Sequence, residues 1–279
     1  MKSLSSQALQ KLGKGWVGAS ETREAKLQEI NRFTNYVEKT FGLQDIHNLK
    51  PGHINAYADS IRGEVSPRTG ANYMAYVRDV CHAIGKPGIC ARDNAAYGFG
   101  GVARQNPQQL NVAKVAEINS VINARAAAGD RVALMMSAAA DMRPVFGLRH
   151  KEALMSCKTI MINGKPHLVV EGAKTGKPRV VGIETEAQRN ALTKVAETAA
   201  TLGNGNGRIM PPELSLKQAL QAESREWHKL GGTREAKASM HIARHDFVQK
   251  ERAAGKSKEQ INVAIGHGNG RSIGSYSEK

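Results

Sequence analysis

The chain has 279 residues, with 40 Lys and Arg against 25 Asp and Glu, a formal net charge of +15 and a pI near 9.9. That balance calls for a polyanionic partner, and the length with 41% hydrophobic content allows two domains with sizeable cores. Aromatic residues at 5% argue against a single-strand stacking platform. Cys81, Cys90 and Cys157 form no pairable framework or zinc spacing, and no apolar stretch reaches signal-peptide or transmembrane length. The expectation is a soluble, cytoplasmic protein in a reducing compartment, with no metal or cofactor.

The basic, Ser-rich residues 1–19 read as a flexible arm. Ser20 then precedes apolar residues spaced three to four apart at Leu27, Ile30, Phe33, Val37 and Phe41, with Gly42 placed to end the helix. Pro51 opens a second helix carrying Ile54, Tyr57 and Ile61. Ser66-Pro67 caps a third with Tyr73, Val77, Val80 and Ile84 on one stripe and Gly85 at its end. The Gly-, Pro- and Asn-rich stretch from Lys86 to Leu110 has no sustained period and reads as a linker. A helical domain over 20–106, linker included, and a second domain over 107–279 follow, both with a net positive charge.

Helical pattern resumes near Val112. It is interrupted over 158–183, where KTIMI, HLVVE and RVVGI are β-branched runs separated by Asn163-Gly164-Lys165 and by Gly172 to Lys177. This punctuation predicts a three-stranded antiparallel sheet with Lys174 at its second turn. Helices are predicted at about 185–202, 214–229, 241–254 and 258–265. The fold class expected is mainly α with a small antiparallel sheet (α+β).

Two groups of residues carry chemistry. In FGLRHKEALM, Arg149 and Glu152 stand three apart; on a surface such a pair is worth only about 0.3 kcal/mol. The apolar neighbours Met142, Val145, Phe146 and Leu148 give the arginine a context in which it needs an anion. In the last forty residues, His241 and Arg244 lie one turn apart, His267 follows Gly266, and Tyr276 comes nine residues later. An Arg can clamp phosphate oxygens, a His can relay a proton, and a Tyr hydroxyl can be joined to phosphorus. GAKTGKP lacks the spacing of a phosphate-binding P-loop, GNGNG at 203–207 precedes no strand–helix unit, and no carboxylate cluster offers a two-metal site.

FGLRHKEAL, the turn lysine of GAKTGKPRVVGI, HIARHDF and IGHGNGRSIGSYSEK together resemble the tyrosine recombinase (phage integrase) family in order and approximate spacing. The resemblance spans the second domain, and the helical first domain resembles that family's core-binding domain. It implies Arg149 and Arg244 as phosphate-clamping arginines, Lys174 as general acid for the leaving 5′ oxygen, with Lys177 a nearby competitor, and His241 as proton acceptor. His267 would hydrogen-bond the phosphate, Tyr276 would be the nucleophile, and Glu152 would orient Arg149 or a neighbouring proton carrier. His150 and His245 have no matched role and are read as structural.

By the same resemblance the partner is double-stranded DNA, held in a C-shaped clamp. The assembly is a homotetramer on synapsed DNA and a monomer in solution, with DNA-bending accessory proteins as further partners and no membrane. The activity implied is site-specific recombination through a 3′-phosphotyrosine, for integration or excision of a phage or mobile element. A type IB-like topoisomerase and a catalytically silent DNA-binding protein are the alternatives. Only Ser277, Glu278 and Lys279 follow Tyr276, too few for the docking helix with which many members continue.

Overall fold

The structure is a computed structural model that describes residues 2–13, 20–100, 109–172 and 178–267. The chain divides into two units, Met1–Arg104 and Gln105–Lys279.

The first unit is helical: α1 (Leu4–Leu12), α2 (Ser20–Phe41), α3 (Pro51–Ile61) and α4 (Pro67–Ala83). The apolar stripes behave as their spacing dictates. Ile30, Phe33 and Val37 of α2, Ile54, Tyr57 and Ile61 of α3, and Met74, Val77 and Val80 of α4 are all buried in one core. Leu27 and Phe41, at the ends of the α2 stripe, stay exposed. Ser66 caps α4 by accepting from the Thr69 N–H, and Pro67 takes the first helical position, where its missing N–H costs nothing.

Two sequence expectations are corrected here. Residues 4–12 are a helix docked on α2 and α4, with Leu4 and Ala8 buried, so the segment 1–19 is not a flexible arm over that part of its length. Burying a leucine contributes about 2 kcal/mol. Gln7 adds a clamp, donating to the Gln44 carbonyl at 2.8 Å and accepting from the Ile46 N–H at 3.0 Å. The stretch read as a linker also joins the core over its first half. Short 3-10 turns at Pro87–Ile89 and Asn94–Tyr97 fold Cys90, Tyr97 and Phe99 inward. A 3-10 turn leaves no 3.6-residue period to read.

The second unit holds α5 (Val112–Ala127), α6 (Arg131–Phe146), α7 (His150–Met155), β1 (Lys158–Ile162), β2 (Lys165–Val170), β3 (Arg179–Gly182), α8 (Glu186–Leu202), α9 (Leu216–Lys229), α10 (Ile242–Ala253) and α11 (Lys258–Ile265). The sheet is antiparallel in the order β1-β2-β3, as predicted, and the β1–β2 turn places Asn163 and Gly164 at positive φ. At the centre lies α6, which packs against α5, α7, α8, α9 and α10. Its Met135, Met136, Ala138, Ala139, Met142 and Phe146 are all buried, so it is apolar nearly all round, as a central helix must be. Among the described residues no helix is long and apolar enough to cross a membrane.

Candidate active site

Central α6 ends at Gly147, which takes a left-handed conformation (φ 61°). A Cβ there would stand 2.5 Å from the Phe247 ring, so both the backbone conformation and the space favour glycine. The turn delivers Arg149 to the N-cap of α7 rather than to the helix itself. Glu152 then reaches back, accepting from the Arg149 backbone N–H at 2.9 Å and from Arg149 Nη1 at 2.6 Å.

Glu152 is fully buried and gathers three guanidinium groups, so it is not half of a surface pair. Arg179, at the start of β3, donates from Nη1 to Oε1 at 3.1 Å and from Nη2 to Oε2 at 3.0 Å. Arg244 Nη1 lies 3.7 Å from Oε2. Burial alone would push the Glu152 carboxyl up, but the bonds and charge of Arg179, then those of Arg149, overrule it and hold the pKa at about 2. Glu152 is therefore a carboxylate at every physiological pH. Three positive groups around one negative leave an excess of positive charge, which suits an anion.

Arg244 is completely buried. It donates from Nη1 to the Gly147 carbonyl at 2.6 Å and from Nη2 to the Ile265 carbonyl. One side chain of α10 thus holds both the turn before Arg149 and the end of α11. Helix α11 ends at Gly266, in a left-handed cap, and His267 follows with its N–H bonded to the Asn262 carbonyl at 2.9 Å. His241 caps α10 one turn before Arg244, its ring edge-on to buried His245 with centroids 5.4 Å apart. Arg149, Glu152 and Arg244 are thus brought together, with His267 one residue beyond the cap that Arg244 helps hold. Lys174 and Tyr276 lie outside the described residues.

Sequence reasoning missed Arg179. The available signal was strand alternation: Arg179 shares a face with Val181, which points into the core. It also missed a second buried carboxylate. Glu223 of α9 is bonded by Arg143 of α6, and His150 Nε2 lies 2.7 Å from its Oε2. Burial raises the Glu223 carboxyl, while the Arg143 charge and the His150 bond outweigh that and lower it. His150, read as structural, is thus anchored beside Arg149. Among the described residues no group of three or more His, Cys, Asp or Glu could hold a metal.

Residues 1–90 match the family described as "Phage integrase, N-terminal", and residues 104–250 match the one described as "Integrase". The chain belongs to the phage integrase family of tyrosine recombinases. Its activity is that of a tyrosine-type DNA recombinase. Solved recombinases share the fold. The XerH site-specific recombinase bound to difH substrate is 17% identical with a TM-score of 0.63, over 92% of this chain and 75% of that one. A lambda integrase tetramer bound to a Holliday junction is 15% identical with a TM-score of 0.66, over 99% and 76%. The Tn1549 transposon integrase with circular intermediate DNA is 16% identical with a TM-score of 0.58, over 100% and 96%. No curated protein sequence matches this recombinase.

Proposed function

We propose that this recombinase cuts and rejoins double-stranded DNA through a 3′-phosphotyrosine at Tyr276, in the integration or excision of a mobile element. The observation that carries this reading is the buried ion cluster. Glu152 binds Arg149 directly and lies 3.7 Å from Arg244, which also bonds the Ile265 carbonyl at the end of α11, just before His267.

The Tyr276 oxygen attacks the scissile phosphorus while His241 accepts the phenol proton. A bond forms between that oxygen and phosphorus, and the bond from phosphorus to the 5′ oxygen breaks. Lys174 gives the departing oxygen its proton, so a free 5′-hydroxyl results. A 5′-hydroxyl of the partner strand then attacks the phosphotyrosine, forming a new phosphodiester and returning the phenol. Arg149 and Arg244 bind the non-bridging oxygens, whose charge grows in the transition state, and His267 adds a hydrogen bond. The energy of the broken phosphodiester is retained in the phosphotyrosine, so no nucleotide is consumed.

Arg244 is buried with two carbonyls on its guanidinium. Contact with a phosphate therefore requires its cover to open when DNA binds. Both units carry a net positive charge, and each contributes contacts to the duplex. Affinity rests on phosphate contacts and falls steeply with salt. Recombination pairs two duplexes, so four copies assemble on synapsed DNA from a monomer in solution, with DNA-bending proteins as helpers. Similar structures, a lambda integrase tetramer bound to a Holliday junction and XerH bound to its difH substrate, support this reading.

The test uses nicked duplexes built from DNA flanking the gene. Wild type should leave a covalent protein–DNA adduct, and Tyr276→Phe should leave none. An adduct that persists in the Phe variant contradicts the nucleophile. Absence of adduct in wild type with tight DNA binding points to a silent binder instead.

A further inference from the structure

We propose that Arg179 is a positioning residue of the recombination site, a brace that joins the segment carrying Arg149 to the end of α11, just before His267. The proposal rests on the reading of the site just given.

Arg179 works with three nitrogens. Nη1 and Nη2 take the two oxygens of Glu152, and Nε donates to the Ala264 carbonyl at 2.8 Å, in the last turn of α11. Glu152 in turn holds the backbone N–H and Nη1 of Arg149. The stem of Arg179 lies against Gly266: a Cβ on that glycine would meet Arg179 Cδ at 2.9 Å. Because Arg179 opens β3, it also anchors the strand that follows the segment carrying Lys174. One side chain therefore ties together three stretches that are distant in sequence. It is 11% exposed, and each of its three nitrogens donates to a protein oxygen, which suits a residue that holds these segments together.

A lysine cannot repeat this arrangement. A planar fork can place two parallel bonds on one carboxylate and a third on a carbonyl, whereas an ammonium is a single point of charge on a flexible stem. The groups facing Glu152 are Arg149 from the α7 cap, Arg179 from β3 and Arg244 from α10. Without Arg179, the burial of Glu152 is less opposed and its carboxyl titrates higher. Strand cleavage then acquires a dependence on Glu152 protonation that wild type lacks above pH 5.

The experiment compares full-length wild type, Arg179→Met, Arg179→Lys and the double variant Arg179→Met with Glu152→Gln. The first readout is hydrogen exchange of the free protein, which needs no DNA chemistry. In Arg179→Met, amides of the first turn of α7 and the last turn of α11 should lose protection together while α8 keeps its own. The second is the rate of adduct formation on nicked duplex from pH 5 to 9. Arg179→Met should be slower by about 100-fold, the scale of a misplaced reacting group, with a new acid limb. Arg179→Lys should be slowed without that limb, and the double variant should have none. Unchanged exchange at either segment, or a rate and pH profile equal to wild type, overturns the brace. So does a uniform loss of protection in both single variants, which would make Arg179 an ordinary stability residue. Absence of a wild-type adduct counts against the chemistry of Tyr276, whereas the exchange result judges the brace alone.

Discussion

Arg244 donates from Nη1 to the carbonyl of Gly147 at 2.6 Å, so the second arginine singled out in the sequence holds the turn that presents the first. The two motifs are parts of one structural unit, and disturbing the turn should reach both. Gly147→Ala would set a Cβ 2.5 Å from the Phe247 ring at φ 61°. It should destabilise the protein by about 1–3 kcal/mol, read from denaturant midpoints, and Phe247→Leu in the same chain should return part of that loss.

The Glu223 cluster should behave as a buried ion pair. Arg143 is 2% exposed and Glu223 fully buried, so Glu223→Ala leaves an uncompensated guanidinium and should cost about 3–5 kcal/mol. Replacing both by Met should cost much less than the sum of the two single changes. Additive losses in urea unfolding would show that the pair does not act as a unit.

The first unit contains a buried group of the opposite kind. Glu29 is 3% exposed on α2, and burial raises its carboxyl to about 7 despite the hydrogen bond from Tyr57 and the charge of Arg32. Its ordinary value is 4.5. The folded state therefore holds a proton that the unfolded chain releases between those values, and stability falls as pH rises through that window. Glu29→Gln should leave stability at pH 5 nearly unchanged and raise it at pH 8 by about 2–3 kcal/mol. Equal effects at both pH values would contradict the assignment.

Lys174 and Lys177 can be separated by chemistry. A general acid contributes about 100- to 10,000-fold, so Lys174→Ala should slow cleavage on that scale. A 5′-thio leaving group, which departs without a proton, should restore most of the rate. Lys177→Ala should lower DNA affinity instead. The reverse pattern would move the acid to Lys177.

Much of this was legible in the chain, and the rest was hidden for identifiable reasons. Stripes such as Ile30, Phe33 and Val37, caps such as Ser66-Pro67, and the Asn163-Gly164 turn are local signals, and the elements they specify formed. The helix at Leu4–Leu12 was overlooked beneath its Lys and Ser content, although Ser3 caps it and Leu4, Ala8 and Leu12 keep helical spacing. Tyr97 and Phe99 entered the core through a turn too short to have a period. At the site, the spacing of Arg149 and Glu152 could be read directly. The choice of Arg179 as the partner of Glu152, and of Glu223 as the partner of His150, depends on which helix and strand meet in space. No local pattern encodes that meeting.

The central claim is tested most directly by identifying the residue joined to DNA. Wild type would be incubated with a nicked duplex from the flanking DNA, digested with protease and nuclease, and the modified peptide sequenced by mass spectrometry. The account requires a nucleotide 3′-phosphate on Tyr276. A phosphonucleotide on any other residue, or an adduct carried through a 5′-phosphate, would contradict it.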